Sequence, residues 1–114
     1  MEVMREVEVD AAPDDVWAAL TEAAQLEEWF ANEVELDPRP GGRGVFRWGN
    51  GEVREAEVEL VEEGSRIVLR FDDDGVVDLR VLATENGSVV QVRETTPSWS
   101  TALEFRAVAL CPTR

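Results

Sequence analysis

The feature that most constrains the fold is a regular series of turn dipeptides in the second half of the chain. Each places a glycine after an asparagine or an acidic residue, a combination typical of turns between antiparallel strands. They are Asn50-Gly51, Glu63-Gly64, Asp74-Gly75 and Asn86-Gly87. Between and around these turns the pattern predicts strands near 43–48, 52–62, 66–72, 76–84 and 88–95. The sequence therefore predicts an antiparallel meander of successive strands.

Alternation along these strands predicts one apolar face and one charged face, because residues two apart point the same way. Glu55, Glu57 and Glu59 fall on the charged face, opposite arginines of the next strand, so cross-strand ion pairs are expected there. The residues predicted on the apolar face are Ala56, Val58, Leu60, Ile67, Leu69, Phe71, Val77, Leu79, Val81, Val90 and Val92.

The segments that flank the meander supply further elements. Residues 2–10 alternate as a strand, and Pro13 with the acids that follow it is typical of the first turn of a helix. A second short helix carries Leu26, Trp29 and Phe30 at helical spacing, and 33–37 form a short extended segment. Apolar residues from 98 to 110, including Trp99 and Leu103, predict a closing helix.

These elements predict one α+β domain over residues 1–114. We expect a helix-grip arrangement, in which a curved antiparallel sheet of six to seven strands surrounds the C-terminal helix, with two short helices after the first strand. The apolar face of the sheet needs a cover, and the helix around Trp99 is the long apolar element left to provide it.

The charge balance limits the partners. The sequence has 25 acidic residues against 11 basic ones, and its formal net charge is −14. Such a field repels phosphate backbones and anionic lipid surfaces, so neither nucleic acid nor a membrane is expected as a partner. The chain has no long apolar run and no signal-peptide pattern near Met1, so a cytoplasmic location is expected.

Missing residue types limit the chemistry. All the basic residues are arginine, and the sequence has no histidine, lysine or tyrosine. A Ser–His pair, an ordinary zinc site and a Schiff base are therefore excluded, and neither a metal nor another cofactor is expected. The composition favours a protein without catalytic activity. It leaves open a cyclisation or dehydration that needs only a general base, for which Glu94 is the candidate.

Three charged residues occupy strand positions that the alternation assigns to the apolar face: Arg5, Arg54 and Glu94. Burying an unpaired charge is expensive, so their placement needs an explanation. They could lie at strand ends that reach water. Arg54 and Glu94 could instead be polar anchors inside a cavity, where they orient a ligand, or they could form an ion pair with each other.

Several segments, in this order and spacing, resemble a known family. The chain is similar to START-like (SRPBCC) domains, in particular to the branch of activator-of-heat-shock-protein-90-ATPase homologues. The segments that carry the resemblance are 12–21 (APDDVWAALT), 26–30 (LEEWF), 41–48 (GGRGVFRW), 51–53 (GEV) and Trp99 with Ala102-Leu103.

The resemblance implies a helix-grip fold with an internal apolar cavity. Families of this type include lipid and sterol carriers, aromatic polyketide cyclases, hormone receptors and co-chaperone domains. The expected function is therefore the non-catalytic binding of a small hydrophobic or aromatic molecule between the sheet and the C-terminal helix. The alternatives are a protein-interaction or co-chaperone-like module whose acidic surface docks on a basic partner, and a cyclase-type enzyme that uses Glu94.

The residues expected to line the ligand pocket combine the inward aromatic and aliphatic side chains with the two inward charges. They are Trp29, Phe46, Trp48, Arg54, Val58, Phe71, Leu79, Val81, Val92, Glu94, Trp99 and Leu103.

Overall fold

The computed structural model of the chain describes residues 3–72 and 75–95. Within them the architecture is α+β, with two short helices and a seven-stranded antiparallel sheet. The predicted helix over 98–110, with Trp99 and Leu103, lies outside the described residues. In chain order the elements are β1 (Val3–Val9), α1 (Pro13–Thr21), α2 (Ala23–Trp29), β2 (Glu33–Leu36), β3 (Arg43–Arg47), β4 (Val53–Glu62), β5 (Arg66–Phe71), β6 (Val76–Ala83) and β7 (Ser88–Glu94).

The sheet is a meander that the first strand completes. From β2 to β7 each strand pairs with the next one in the sequence, and β1 pairs with β7, which gives the order β1-β7-β6-β5-β4-β3-β2. All the pairs are antiparallel. The predicted strands of the meander are confirmed to within one residue at each end.

The two helices follow the local signals in the sequence. Pro13 is the first residue of α1, where its missing N–H costs nothing, and Asp14 and Asp15 lie in the first turn near the positive end of the helix dipole. Glu22 alone separates α1 from α2. Its extended backbone ends one helix, through a bond from its N–H to the Ala18 carbonyl, and begins the next.

The apolar face of the sheet, here called the inner face, forms one core with the helices. Val9, Ile67 and Val81 belong to the same buried cluster as Val16 and Leu20 of α1. The Trp17 indole of α1 donates to the Glu63 carboxylate in the β4–β5 turn, at 3.0 Å. Helix α1 therefore lies beside the end of the sheet that carries this turn.

The charged residues of the strands form the other face, here called the outer face, and it carries cross-strand ion pairs. Arg70 of β5 pairs with Glu59 as expected, whereas Glu55 pairs with Arg43 of the preceding strand β3. Arg47 pairs with Glu35 of β2 at 2.9 Å. The hydrogen bond from Arg47 to Glu35 raises the pKa of the Arg47 guanidinium above its ordinary value.

The prediction that Leu60 points inward is wrong. The pairing of β4 with β5 shifts between Val58 and Leu60, a β-bulge that places one extra residue in β4. Leu60 consequently lies opposite Val68 on the outer face, and Val61 takes the inner position opposite Ile67.

Two of the turn glycines have backbone angles that favour glycine, and a third has a different role. Gly51 and Gly64 have positive φ angles of 91° and 82°, which glycine adopts without strain. Gly87 lies against the end of β1 instead. A Cβ atom at this position would be 2.4 Å from the carbonyl oxygen of Val9, so the close approach of the two backbones requires glycine.

Candidate functional site

The aliphatic residues predicted for the pocket lie together on the inner face. Val58, Leu79, Val81 and Val92 belong to the same buried cluster and are between 0% and 5% exposed. Leu79 lies opposite Val92 in the pairing of β6 with β7. These side chains give the inner face an apolar floor across β4, β6 and β7.

The predicted aromatic residues form a continuous cluster at one side of this floor, and Phe30 connects them. The Phe30 ring is 5.6 Å from Phe46 and 5.3 Å from Trp48, in both cases edge to face, and 5.5 Å from Trp29. Phe46 continues the contact to Phe71 at 5.9 Å. Edge-to-face and tilted arrangements of this kind are the favoured geometries for aromatic pairs. We call these residues the aromatic cluster: Trp29, Phe30, Phe46, Trp48 and Phe71.

The two tryptophans of the cluster are fixed by hydrogen bonds to the backbone. The Trp29 indole N–H donates to the Ala19 carbonyl at 2.9 Å, which joins α2 to α1. The Trp48 indole N–H donates to the Phe30 carbonyl at 2.8 Å, which joins the β3–β4 turn to the end of α2. Both tryptophans are half-buried, so each combines a structural hydrogen bond with a side chain that is not fully enclosed.

Arg54 extends the aromatic cluster with a positive charge. Its guanidinium carbon lies 4.2 Å from the centre of the Phe71 ring, within the range of a cation–π interaction. Arg54 lies opposite Phe46 in the pairing of β3 with β4, so its side chain is on the same face as the cluster. The residue is half-buried.

Glu94 is the most deeply buried charged residue on this face. It is 0% exposed, whereas most glutamates of described position are on the surface. It lies between Val77 of β6 and the backbone of β1 at the end of β7. A carboxylate in such surroundings is costly unless it is hydrogen-bonded or paired, so its presence marks a specific polar position in an apolar face.

Arg54, Phe71 and Glu94 lie at the same end of the sheet, near the start of β4 and at the ends of β5 and β7. This is the end opposite the β4–β5 turn and α1. Here we call it the far end of the inner face. The structure thus brings together an aromatic surface, a cation and a buried carboxylate that are distant in the sequence.

The third inward charge is not part of this arrangement. Arg5 is exposed on β1, an edge strand of the sheet, which agrees with the expectation that a strand-end charge reaches water. Trp99 and Leu103 lie outside the described residues. Phe30 was missed as a pocket residue, although its spacing from Leu26 had already placed it on the buried side of α2.

The described residues contain neither a metal-binding cluster nor a membrane-spanning helix. No group of three or more histidine, cysteine, aspartate or glutamate residues within 3–72 and 75–95 could hold a metal ion. None of the helices in these ranges is both long enough and apolar enough to span a membrane.

A seven-stranded antiparallel sheet with two helices after its first strand, and an apolar inner face that also carries charged residues, defines a START-like α+β domain. Residues 10–108 match the family described as "Activator of Hsp90 ATPase homolog 1-like protein". The chain belongs to this family, and the resemblance found in the sequence is confirmed.

Solved structures support the fold. The solution structure of a Bacillus halodurans protein superposes with a TM-score of 0.83 at 18% identity, covering 98% of this chain and 97% of that one. The crystal structure of a Mesorhizobium loti protein superposes with a TM-score of 0.76 at 21% identity, covering 96% of this chain and 88% of that one. DynU16, a protein of the dynemicin biosynthetic locus, gives 0.76 at 22% identity, and the match covers 96% of this chain and 43% of DynU16.

One curated protein has a local match. It is the S-adenosylmethionine:tRNA ribosyltransferase-isomerase of Acetivibrio thermocellus, 48% identical over 50 residues. The match involves 40% of this chain and 14% of the enzyme. A segment of this size does not carry the activity of the enzyme over to this protein.

Proposed function

We propose that the far end of the inner face binds a small apolar or aromatic molecule that carries one polar group. The observation that supports this most strongly is the burial of Glu94 at 0% exposure in a mostly apolar face. Ligand sites in proteins combine an apolar lining with a few polar groups that fix orientation, and this face has that composition.

The aromatic cluster would hold the apolar part of the ligand. Trp29 and Trp48 are half-buried and have their indole N–H groups bonded to backbone carbonyls, so their ring faces are available without an unsatisfied donor. Arg54 is held over Phe71 and would contact a carbonyl or hydroxyl oxygen of the ligand. Glu94 would accept a hydrogen bond from a ligand hydroxyl or amine.

The proposal includes the helix-grip closure. In this proposal, the helix predicted over 98–110 packs across the inner face, and Trp99 and Leu103 complete the pocket lining. The family relation is compatible with a small-molecule site, since one fold neighbour belongs to a biosynthetic locus. The same carboxylate is the candidate base of a cyclase-type reaction. Unchanged turnover of a Glu94→Gln variant would exclude that reaction.

Native mass spectrometry of protein purified from its own host tests the binding proposal. We expect the wild type to retain a small molecule, and the Glu94→Gln variant to retain less of it because the acceptor is weakened. Glu57→Gln is the matched control, since Glu57 is exposed on the outer face. The extracted molecule, added back, is expected to raise the melting temperature of the wild type by several degrees.

Two results would contradict this proposal. One is an inner face that is completely filled by side chains in a ligand-free experimental structure of the whole chain. The other is equal retention by the wild type, Glu94→Gln and a second variant, Arg54→Met, all confirmed as folded by circular dichroism. In that case any retained molecule is bound elsewhere.

A second function is favoured by the distribution of charge. Between Arg5 and Arg39 the sequence carries eleven acidic residues and no basic one. Within this stretch Asp14, Asp15 and Glu22 are exposed on or beside α1. A surface of this kind is suited to steer and dock a basic protein surface, as a co-chaperone-like module would do.

A pull-down from host lysate over a salt series tests the docking function. We expect a basic partner to be retained at low salt and released as the Debye length falls below about 8 Å. The triple variant Asp14→Asn/Asp15→Asn/Glu22→Gln should retain less, whereas a triple variant of outer-face glutamates, at positions 55, 57 and 59, should retain as much as the wild type. Loss of retention in both variants to the same extent would show that only net charge matters.

A further inference from the structure

The outer face has a depression of about 220 Å³ on β1, β7 and β6. Six of its lining residues belong to the charged face: Met4, Glu6, Asp78, Arg80, Gln91 and Arg93. Arg5 and Val92, whose positions alternate with these along β1 and β7, also contribute to the lining, and none of the eight belongs to the aromatic cluster. At about 30 Å³ per water molecule, its volume corresponds to roughly seven waters, which is enough for a small organic molecule.

The charged side chains around the depression differ in how many hydrogen bonds they make. Asp78, although only 7% exposed, is held by Arg66 through two hydrogen bonds of 2.8 and 3.0 Å. This hydrogen bonding raises the pKa of the Arg66 guanidinium above its ordinary value. Both carboxylate oxygens of Asp78 are thus engaged by Arg66.

Arg80 has a weaker contact with the same carboxylate. Its Nε atom lies 3.7 Å from Asp78 Oδ1, which is an ion pair beyond hydrogen-bond distance. A guanidinium has five N–H donors, and within residues 3–72 and 75–95 no hydrogen bond from the exposed Arg80 side chain is present. Arg80 therefore has donors available for an anion at the edge of the depression.

The neighbouring residues favour an anion that has an apolar part. Arg93 lies opposite Asp78 in the strand pairing and adds a second positive charge. Gln91 donates to the Glu6 carboxylate at 2.8 Å, which keeps that acid engaged. Met4 is 65% exposed and forms an apolar wall beside Arg93. The overall charge of −14 repels a dianion more than a monoanion, which favours a carboxylate over a phosphate.

We propose that the outer depression binds a carboxylate with a short apolar chain, with the Arg80 guanidinium as the anion-binding group and Met4 as the apolar wall. The planar fork of arginine matches the two oxygens of a carboxylate. The proposal does not rest on the function proposed for the inner face, because Arg80 and Met4 lie on the outer face of β6 and β1. The carboxylate could belong to a free acid or to the C-terminus of a peptide.

Titration of the wild-type protein with hexanoate, monitored through the side-chain ¹⁵Nε resonances of its arginines, tests the proposal. We expect the Arg80 resonance to shift, acetate to bind more weakly than hexanoate, and inorganic phosphate to bind more weakly still. Arg80→Gln should weaken hexanoate binding about tenfold, as loss of a charge-assisted hydrogen bond does. Arg43→Gln, an outer-face arginine outside the depression, is the matched control and should bind like the wild type.

Two further arms complete the experiment. Met4→Ser should reduce the affinity for hexanoate to that for acetate. A peptide that ends in leucine is compared with its C-terminal amide; tighter binding of the acid form than of hexanoate assigns the site to a peptide terminus, and the reverse assigns it to a free acid. An unshifted Arg80 resonance, or equal binding by the wild type and Arg80→Gln, would overturn the proposal.

Discussion

Replacing Phe46 by alanine is expected to lower the free energy of unfolding by about 3–5 kcal/mol. The side chain is 0% exposed and contacts both Phe30 and Phe71, so its removal leaves a cavity between α2 and the sheet. Equilibrium unfolding in guanidinium chloride, followed by tryptophan fluorescence, measures the loss. Phe46→Leu should lower the free energy of unfolding by less, because leucine keeps part of the apolar volume. This variant provides the measurement if the alanine variant does not fold.

Val45 provides the matched control for this prediction. It is the preceding residue of β3, points to the outer face and is half-buried. Val45→Ala should therefore lower the free energy of unfolding by only about 1 kcal/mol. Equal losses at positions 45 and 46 would contradict the assignment of the two faces of β3.

Replacing Gly87 by alanine is expected to lower the free energy of unfolding by about 1–3 kcal/mol, through overpacking against the backbone. The new Cβ atom would lie 2.4 Å from the Val9 carbonyl oxygen and 3.1 Å from the Asp10 Cα atom. Backbone atoms cannot rotate away as a flexible side chain can, so the end of β1 must move. Hydrogen exchange at the amides of β1 should rise in the same variant.

Gly49→Ala is the control for Gly87→Ala. A Cβ atom at position 49 would meet the Asn32 side chain at 3.4 Å, an ordinary contact, and the backbone there does not have a positive φ. Its stability should be unchanged or slightly higher, because alanine has fewer unfolded conformations than glycine. If both variants were equally stable, the close approach of Gly87 to β1 would be wrong.

The strands could be predicted because their signals are local. Turn dipeptides and alternation are properties of short segments, so the meander from β3 to β7 followed from the sequence. The error at Leu60 has a physical reason. A bulge inserts one residue into the pairing without requiring a particular residue type, and every side chain beyond it changes face. Alternation counted from Val58 therefore gave the wrong face for Leu60.

The candidate site was predictable in its composition and less so in its arrangement. Burial of Glu94 and the inward position of Arg54 follow from strand parity, but the stacking of Arg54 on Phe71 depends on rotamers that the sequence does not encode locally. Phe30 was missed because its spacing from Leu26 indicates burial but does not distinguish a core residue from a pocket residue. Arg5 differed from the other inward charges because β1 is an edge strand, where a side chain can turn to water.

The pairing of β1 with β7 has a consequence for synthesis of the protein. Val3 pairs with Glu94, so β1, which precedes the other strands of the sheet in the sequence, must wait for the last of them before it finds its partner. Until then both edges of β1 are unpaired, and its backbone N–H and carbonyl groups can pair with other chains. Strands β2 to β6 can meanwhile pair with neighbours that have just emerged. Formation of the sheet is therefore expected to end with the pairing of β1, and the charges of Glu6 and Glu8 on this strand disfavour its pairing with other chains in the meantime.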